Sequence, residues 1–115
     1  AHSRWAKLEF DADHVARTAE SFISGFGRTL LVSKGGYLAG MLQAPGFTPR
    51  PMAMEYAWYS NDGSGFALLD WFERWARNMG AFELVLHSYI DDRLGNVLAR
   101  RHQFQRLGAA YSKVL

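Results

Sequence analysis

Apolar residues recur along this chain in two rhythms, every second residue and every three to four. The run MAMEYAWYS alternates, with Met52, Met54, Tyr56 and Trp58 on one side and Ala53, Glu55, Ala57 and Tyr59 on the other, which predicts a strand. After the short polar stretch NDGSG the period lengthens. Leu68, Leu69, Phe72, Trp75, Ala76 and Met79 fall on one face of a helix, and Asp70, Glu73, Arg74 and Arg77 are left toward water. Gly80 supplies a stop for that helix.

The same two rhythms divide the rest. Asp11 or Asp13 can cap a helix with Val15, Ala19, Phe22 and Ile23 inward, and Gly25 and Gly27 end it. RTLLVS (28–33) reads as a buried strand, Lys34-Gly35-Gly36 as a hairpin turn, and YLAGMLQA (37–44) as the returning strand. Pro45, Pro49 and Pro51, with Gly46 among them, mark an irregular loop. FELVLHS (82–88) is a strand. Asp91 or Asp92 can cap a helix through about Gln105, with Leu94, Val97, Leu98 and Phe104 inward. Gly108 stops it, and AAYSKVL (109–115) is a last strand. RWAKLEF (4–10) fits helix or strand. The order α, β, β, β, α, β, α, β predicts an α/β chain: a mixed sheet with helices on both faces.

Composition narrows the classes. At 115 residues the chain is read as a single domain, 1–115, and 49% apolar and 15% aromatic residues supply a core and argue against disorder. There is no cysteine, which excludes disulfides, thiolate metal sites and a cysteine nucleophile, and fits a reducing, cytoplasmic setting. No apolar run is long enough to span a membrane. A net charge of +2 suits an anionic small ligand but is too weak to argue for nucleic acid. His2, His14, His87 and His102 show no metal-ligand spacing, so no metal is expected. Ser64 lies outside any G-x-S-x-G, and no G-x-x-x-x-G-K-[ST] occurs. The aromatic excess is compatible with a homodimer.

Two places carry candidate chemistry. Between the strand at 52–59 and the next helix, Gly63 and Gly65 leave backbone N–H groups bare at a positive helix end, which favours an anion and above all a phosphate. The plainer reading is a tight strand-to-helix connection. Glu55 puts a carboxylate inside an otherwise apolar strand, where such a group is costly unless paired or used. The plainer reading there is an ion-paired residue on an open sheet face.

The turn-helix GSGFALLDWFERWARNMGA and the segment FQRLGAAYSKVL together resemble the GCN5-related N-acetyltransferase (GNAT) superfamily, over about residues 12–115. Gly63, Gly65, Leu68 and Leu69 match the family's glycine turn and the leucines after it, and Phe104, Leu107 and Gly108 match its last-helix ending. The resemblance implies a mixed, mostly antiparallel central sheet with a β-α-β crossover. It implies acetyl-CoA as co-substrate and a small-molecule or peptide amine as acceptor.

It also implies roles for particular residues. The amides of Asn61, Gly63, Ser64, Gly65 and Phe66, after Ser60, would cradle the pyrophosphate, with Asp62 pointing outward. The backbone of Trp58 and Tyr59 would pair with the pantetheine arm and polarise the thioester carbonyl. Glu55 would be the general base, and His102, Tyr89 or water would return a proton to sulfur. Asn96 and Phe104 would lie near the cofactor, and His87 could meet substrate.

The chain departs from the family pattern at Ser60, Asp62 and Phe104, and the family's first strand has only Ala1–Phe10 as a partial candidate. Those departures keep a second class open, a GNAT-like binding or assembly protein without catalysis. A third, a dinucleotide-binding unit, is weakened by Leu68 at the third glycine position and by His87 and Ser88 in place of an acidic strand end.

Overall fold

Asp11 opens the fold. Its carboxylate accepts the His14 amide at 2.9 Å and caps α1 (Ala12–Ser24). The structure is a computed structural model that describes residues 11–86, 90–108 and 111–115. Of the apolar stripe expected on α1, only Phe22 is buried, while Val15, Ala19 and Ile23 remain exposed. Only the edge carrying Phe22 is enclosed: its ring meets Tyr56 at 5.0 Å, and the Arg28 guanidinium lies 5.6 Å from its centroid.

Three antiparallel strands follow: β1 (Arg28–Ser33), β2 (Gly36–Gln43) and β3 (Met52–Ser60). α2 (Gly65–Asn78) then crosses to β4 (Glu83–Val85), which pairs with β3 in parallel. The sheet order is β1-β2-β3-β4. This is the mixed, mostly antiparallel sheet with a β-α-β crossover that the chain predicts.

β3 does not keep one alternation along its length. Ala39 pairs with Ala57 but Gly40 pairs with Glu55, so Tyr56 is an extra residue opposite the β2 ladder. Paired residues share a face. Ala53 and Glu55 therefore lie on the α2 side with Leu42 and Gly40, and beyond the bulge Trp58 joins that side opposite Leu38. The expected grouping of Trp58 with Met52 and Met54 is corrected by this one-residue insertion, which a period-two reading cannot see. Tyr56 is left to meet α1 on the reverse face, and the helices cover both faces.

The core lies between the sheet and α2. Leu38, Ala53, Leu68, Leu69, Phe72, Ala76 and Leu98 are its buried members. The Phe72 ring packs on Gly40, where a Cβ would collide with it. α2 ends in a Schellman motif: Ala81 N–H donates to Ala76 O at 3.0 Å and Gly80 N–H to Arg77 O at 3.1 Å, with Gly80 at φ 81°.

The third helix, α3 (Asp92–His102), is capped by Asp91, whose carboxylate accepts the Leu94 amide at 2.8 Å. It ends earlier than expected. Gln103 turns left-handed at φ 56°, and its amide and that of Phe104 both donate to Leu98 O, so the stop is Gln103 and not Gly108. β4 is also shorter than the run 82–88, and His87 and Ser88 lie outside the described residues. Residues 111–115 form no strand. Tyr111, Val114 and Leu115 are exposed, and strand-forming residues make a strand only where a sheet edge pairs them. Among the described residues no helix is long and apolar enough to cross a membrane.

Candidate functional site

The turn from β3 to α2 is tied to the β1–β2 hairpin. Asn61 N–H donates to Gly35 O at 2.9 Å. The hydroxyls of Ser33 and Ser64 lie 2.7 Å apart, and those of Ser60 and Ser64 lie 3.3 Å apart. Gly63 takes φ 84°, a left-handed conformation that glycine adopts without steric cost.

Asp62 is exposed, but its carboxylate folds back onto the turn and does not face away from it as expected. Its Oδ1 accepts the Ser64 amide at 3.0 Å and the Ser60 hydroxyl at 3.2 Å. The carboxylate lies directly against Gly35, where a Cβ would overlap it. Hydrogen bonds from Ser64, first its side chain and then its amide, hold the Asp62 carboxyl below the usual carboxylate range. The physical reason is local: an Asp two residues before an amide closes an Asx turn. The amides of Asn61 and Ser64 are thereby engaged within the protein.

The amides left for a ligand start at the helix itself. The first intrahelical bond is Leu68 N–H to Ser64 O at 3.1 Å, so Gly65, Phe66 and Ala67 lie in the first turn, whose N–H groups have no helical acceptor. The Ser64 side chain does not cap them. Gly65 is buried, and its carbonyl accepts the indole N–H of Trp58 at 3.0 Å. Trp58 meets Phe66 edge-on at 6.1 Å, and Phe66 stacks on His102 at 5.1 Å and 7°. His102 Nδ1 is 3.7 Å from Asp70 Oδ1. His102 thus sits half-buried against α2.

Among the described residues, β4 pairs with β3 at Met52, Ala53 and Met54, while β3 continues to Ser60. The Glu55 side chain is 0% exposed, on the α2 side of the sheet. Among the described residues no buried side-chain nitrogen or oxygen is left without a hydrogen bond. Trp58 is half-buried, and Tyr59 is exposed with its ring 6.0 Å from Tyr37.

The remaining predicted positions scatter. Asn96 is exposed on α3, and Phe104 packs against the core past the end of that helix. Tyr89, the other candidate proton donor, lies outside the described residues. Ser33 and Gly35 belong to the turn's framework, and no sequence signal marks them. Ala67 was also missed, although its place in the first helical turn follows from Ser64 as the N-cap.

No family model matches the chain, and no curated protein matches it by sequence. Solved structures do. An acetyltransferase from Trypanosoma brucei superposes with a TM-score of 0.68 at 16% identity, over 93% of this chain and 82% of that one. The aminoglycoside 6'-N-acetyltransferase AAC(6')-Ih from Acinetobacter baumannii gives 0.64 at 14% identity, over 95% and 84%. AAC(6')-Iy, in complex with the bisubstrate analog CoA-S-monomethyl-acetylneamine, gives 0.69 at 12% identity, over 95% and 84%. Likeness at such identities speaks for architecture, and together with the sheet order and the β3–α2 turn it shows that this chain has the fold of the GCN5-related N-acetyltransferases.

Proposed function

We propose that the chain is an N-acyltransferase that moves an acetyl group from acetyl-CoA to a small-molecule amine. The observation that carries this reading is the coincidence of two features at one end of β3. The first-turn amides of Gly65, Phe66 and Ala67 follow directly on the end of β3, whose edge beyond Met54 pairs with no further strand residue among those described. A diphosphate suits the amides and the helix dipole. An extended amide-bearing arm suits that edge, by the logic of strand addition. Structural neighbours that are aminoglycoside acetyltransferases support a small amine as acceptor.

The residues divide the work. Bound acetyl-CoA supplies the thioester. A backbone N–H at Trp58 or Tyr59 holds the carbonyl oxygen as charge grows on it. Glu55 takes the proton from the attacking ammonium, directly or through water. A C–N bond forms, the C–S bond breaks, the nitrogen sheds its second proton, and the thiolate is protonated in turn through water, His102 or Tyr89. His102, stacked on Phe66, serves from the helix side of the turn.

One observation favours a second reading. The Asp62 carboxylate occupies the turn and takes the Ser64 amide, which suits a binding or assembly protein that has given up the carrier. Thermal unfolding with acetyl-CoA separates the two. A ligand at about 100 times its Kd stabilises by about 2.7 kcal/mol. No shift at millimolar acetyl-CoA would retire the transferase reading and leave the scaffold.

A further inference from the structure

α1 is an amphipathic helix whose apolar ridge lies in water. Of its 13 residues only Phe22 is buried. Val15, Ala19 and Ile23, at i, i+4 and i+8, form one ridge beside Phe22, and all three are exposed, Ile23 by 70%. A helix in a folded chain takes most of its stability from burying such a ridge. The sheet has an uncovered part on the same side. Leu38 and Trp58 are register partners facing α2, so Tyr37 and Tyr59 beside them point to the opposite face, the one α1 packs on. Val32 is the register partner of Tyr37, and the rings of Tyr37 and Tyr59 lie 6.0 Å apart. The three make an apolar row across β1, β2 and β3, and all three are exposed, Val32 by 71%.

An exposed apolar patch with a polar rim marks an interaction site. Here the ridge and the row fit each other. From Val15 to Ile23 the ridge runs about 12 Å. Across the two strand spacings from β1 to β3 the row runs about 10 Å. The rims have opposite charge. Asp13 and Glu20, seven positions apart on α1, flank the ridge, and the exposed Lys34 in the β1–β2 hairpin flanks the row. In its own chain α1 rests on Tyr56 through Phe22 and leaves the row uncovered, but a two-fold axis lets each helix cover the row of the other chain. We propose that two copies of this chain dimerise through this face, the α1 ridge of each seated on the Val32–Tyr37–Tyr59 row of the other. The two helices then form one layer between two sheets, and Lys34 of each protomer faces Asp13 and Glu20 of the other. The interface needs neither carrier nor acceptor and stands apart from the transferase reading.

Sedimentation equilibrium on the full chain tests it. The wild type should run at twice the chain mass of 13.0 kDa at micromolar concentration. Ile23→Lys on the ridge and Tyr37→Glu on the row both alter exposed side chains. Each should give a folded monomer, with self-association weakened on the order of a hundredfold, because one substitution strikes a two-fold interface twice. An equimolar mixture of the two variants should dimerise again. In the mixed pair one ridge-on-row contact is wild type, and the other sets Lys against Glu. Unfolded chains would not complement each other in this way. Lys34→Glu should weaken the wild-type dimer at low salt and less at high salt. A wild type that stays monomeric would overturn the proposal. So would a dimer that survives either variant at full strength, or two monomeric variants that stay apart when mixed.

Discussion

The carboxylate of Asp62 accepts the backbone amide of Ser64 at 3.0 Å, so an anion built into the chain occupies part of the turn where a diphosphate is expected to rest. It lies near the free amides of Gly65 and Phe66, and like charges a few ångströms apart repel even in water. Asp62→Asn keeps an oxygen for the Ser64 amide and removes the charge. The variant should bind CoA more tightly, on the order of fivefold at low salt, with the gain shrinking as salt rises. Calorimetric titrations at two ionic strengths would show it. A weaker variant would mean that the carboxylate helps to shape the site and does not oppose the ligand.

The same hydrogen bonds fix how Asp62 responds to pH. Ser64 holds its carboxyl below the usual range, so the folded form binds the proton less readily than the unfolded form. Such a group adds stability above the ordinary carboxylate value of about 4 and loses it as pH falls through the depressed folded value. The difference in Tm between wild type and Asp62→Asn should therefore hold constant from neutral pH to about 4 and shrink below it. A titration followed by NMR should place the Asp62 midpoint below those of uncoupled aspartates. The carboxylate is solvent-exposed, so screening keeps the stability effect small.

Gly35 is the seat of that carboxylate. A methyl group there would overlap Asp62, while Asn61 N–H still needs the Gly35 carbonyl. Gly35→Ala should lower Tm in the wild type and lower it much less in an Asp62→Ala background. The double-mutant cycle isolates this contact, and additive losses would assign the cost to the hairpin turn alone.

Much of the fold was legible because long periodic runs report burial directly. The face of α2 set by Leu68, Leu69 and Phe72 is the one that packs, and Gly80 stops the helix as read. What escaped were features set by a second segment or by one inserted residue. The bulge at Tyr56 turns half of β3 over, and nothing in MAMEYAWYS marks it. Residues 111–115 carry the residue types of a strand, but the pairing that makes a strand comes from a neighbour. In the candidate site the glycine turn and Glu55 were visible as residue types. The hydrogen bond from the Ser64 amide to Asp62 was within reach of turn chemistry, since Ser-Asn-Asp-Gly-Ser favours an Asx turn. The bond between Ser33 and Ser64 spans 31 positions and had no local signal.

Packing offers a test that involves no ligand. Phe72 lies on Gly40 so closely that a Cβ has no room. Gly40→Ala should cost about 1–3 kcal/mol through overpacking, measured by chemical denaturation. Phe72→Leu opens space at the same point, so adding Gly40→Ala to it should cost less than in the wild type. An unchanged cost would mean that the strain lies in the β2 backbone and not in the ring.

Glu55 separates catalysis from structure most sharply. It is fully enclosed, one residue past the last described pair between β3 and β4. Glu55→Gln preserves its shape and part of its hydrogen bonding but removes the base. Loss of a general base costs about 10²–10⁴ in rate. The variant should lose turnover in that range with acetyl-CoA affinity unchanged, since the carrier is held by amides further along. The loss should narrow at higher pH, where the amine arrives already deprotonated and needs no base. A variant that merely unfolds earlier, with normal turnover below its Tm, would make Glu55 a packing residue and return the proton transfer to water.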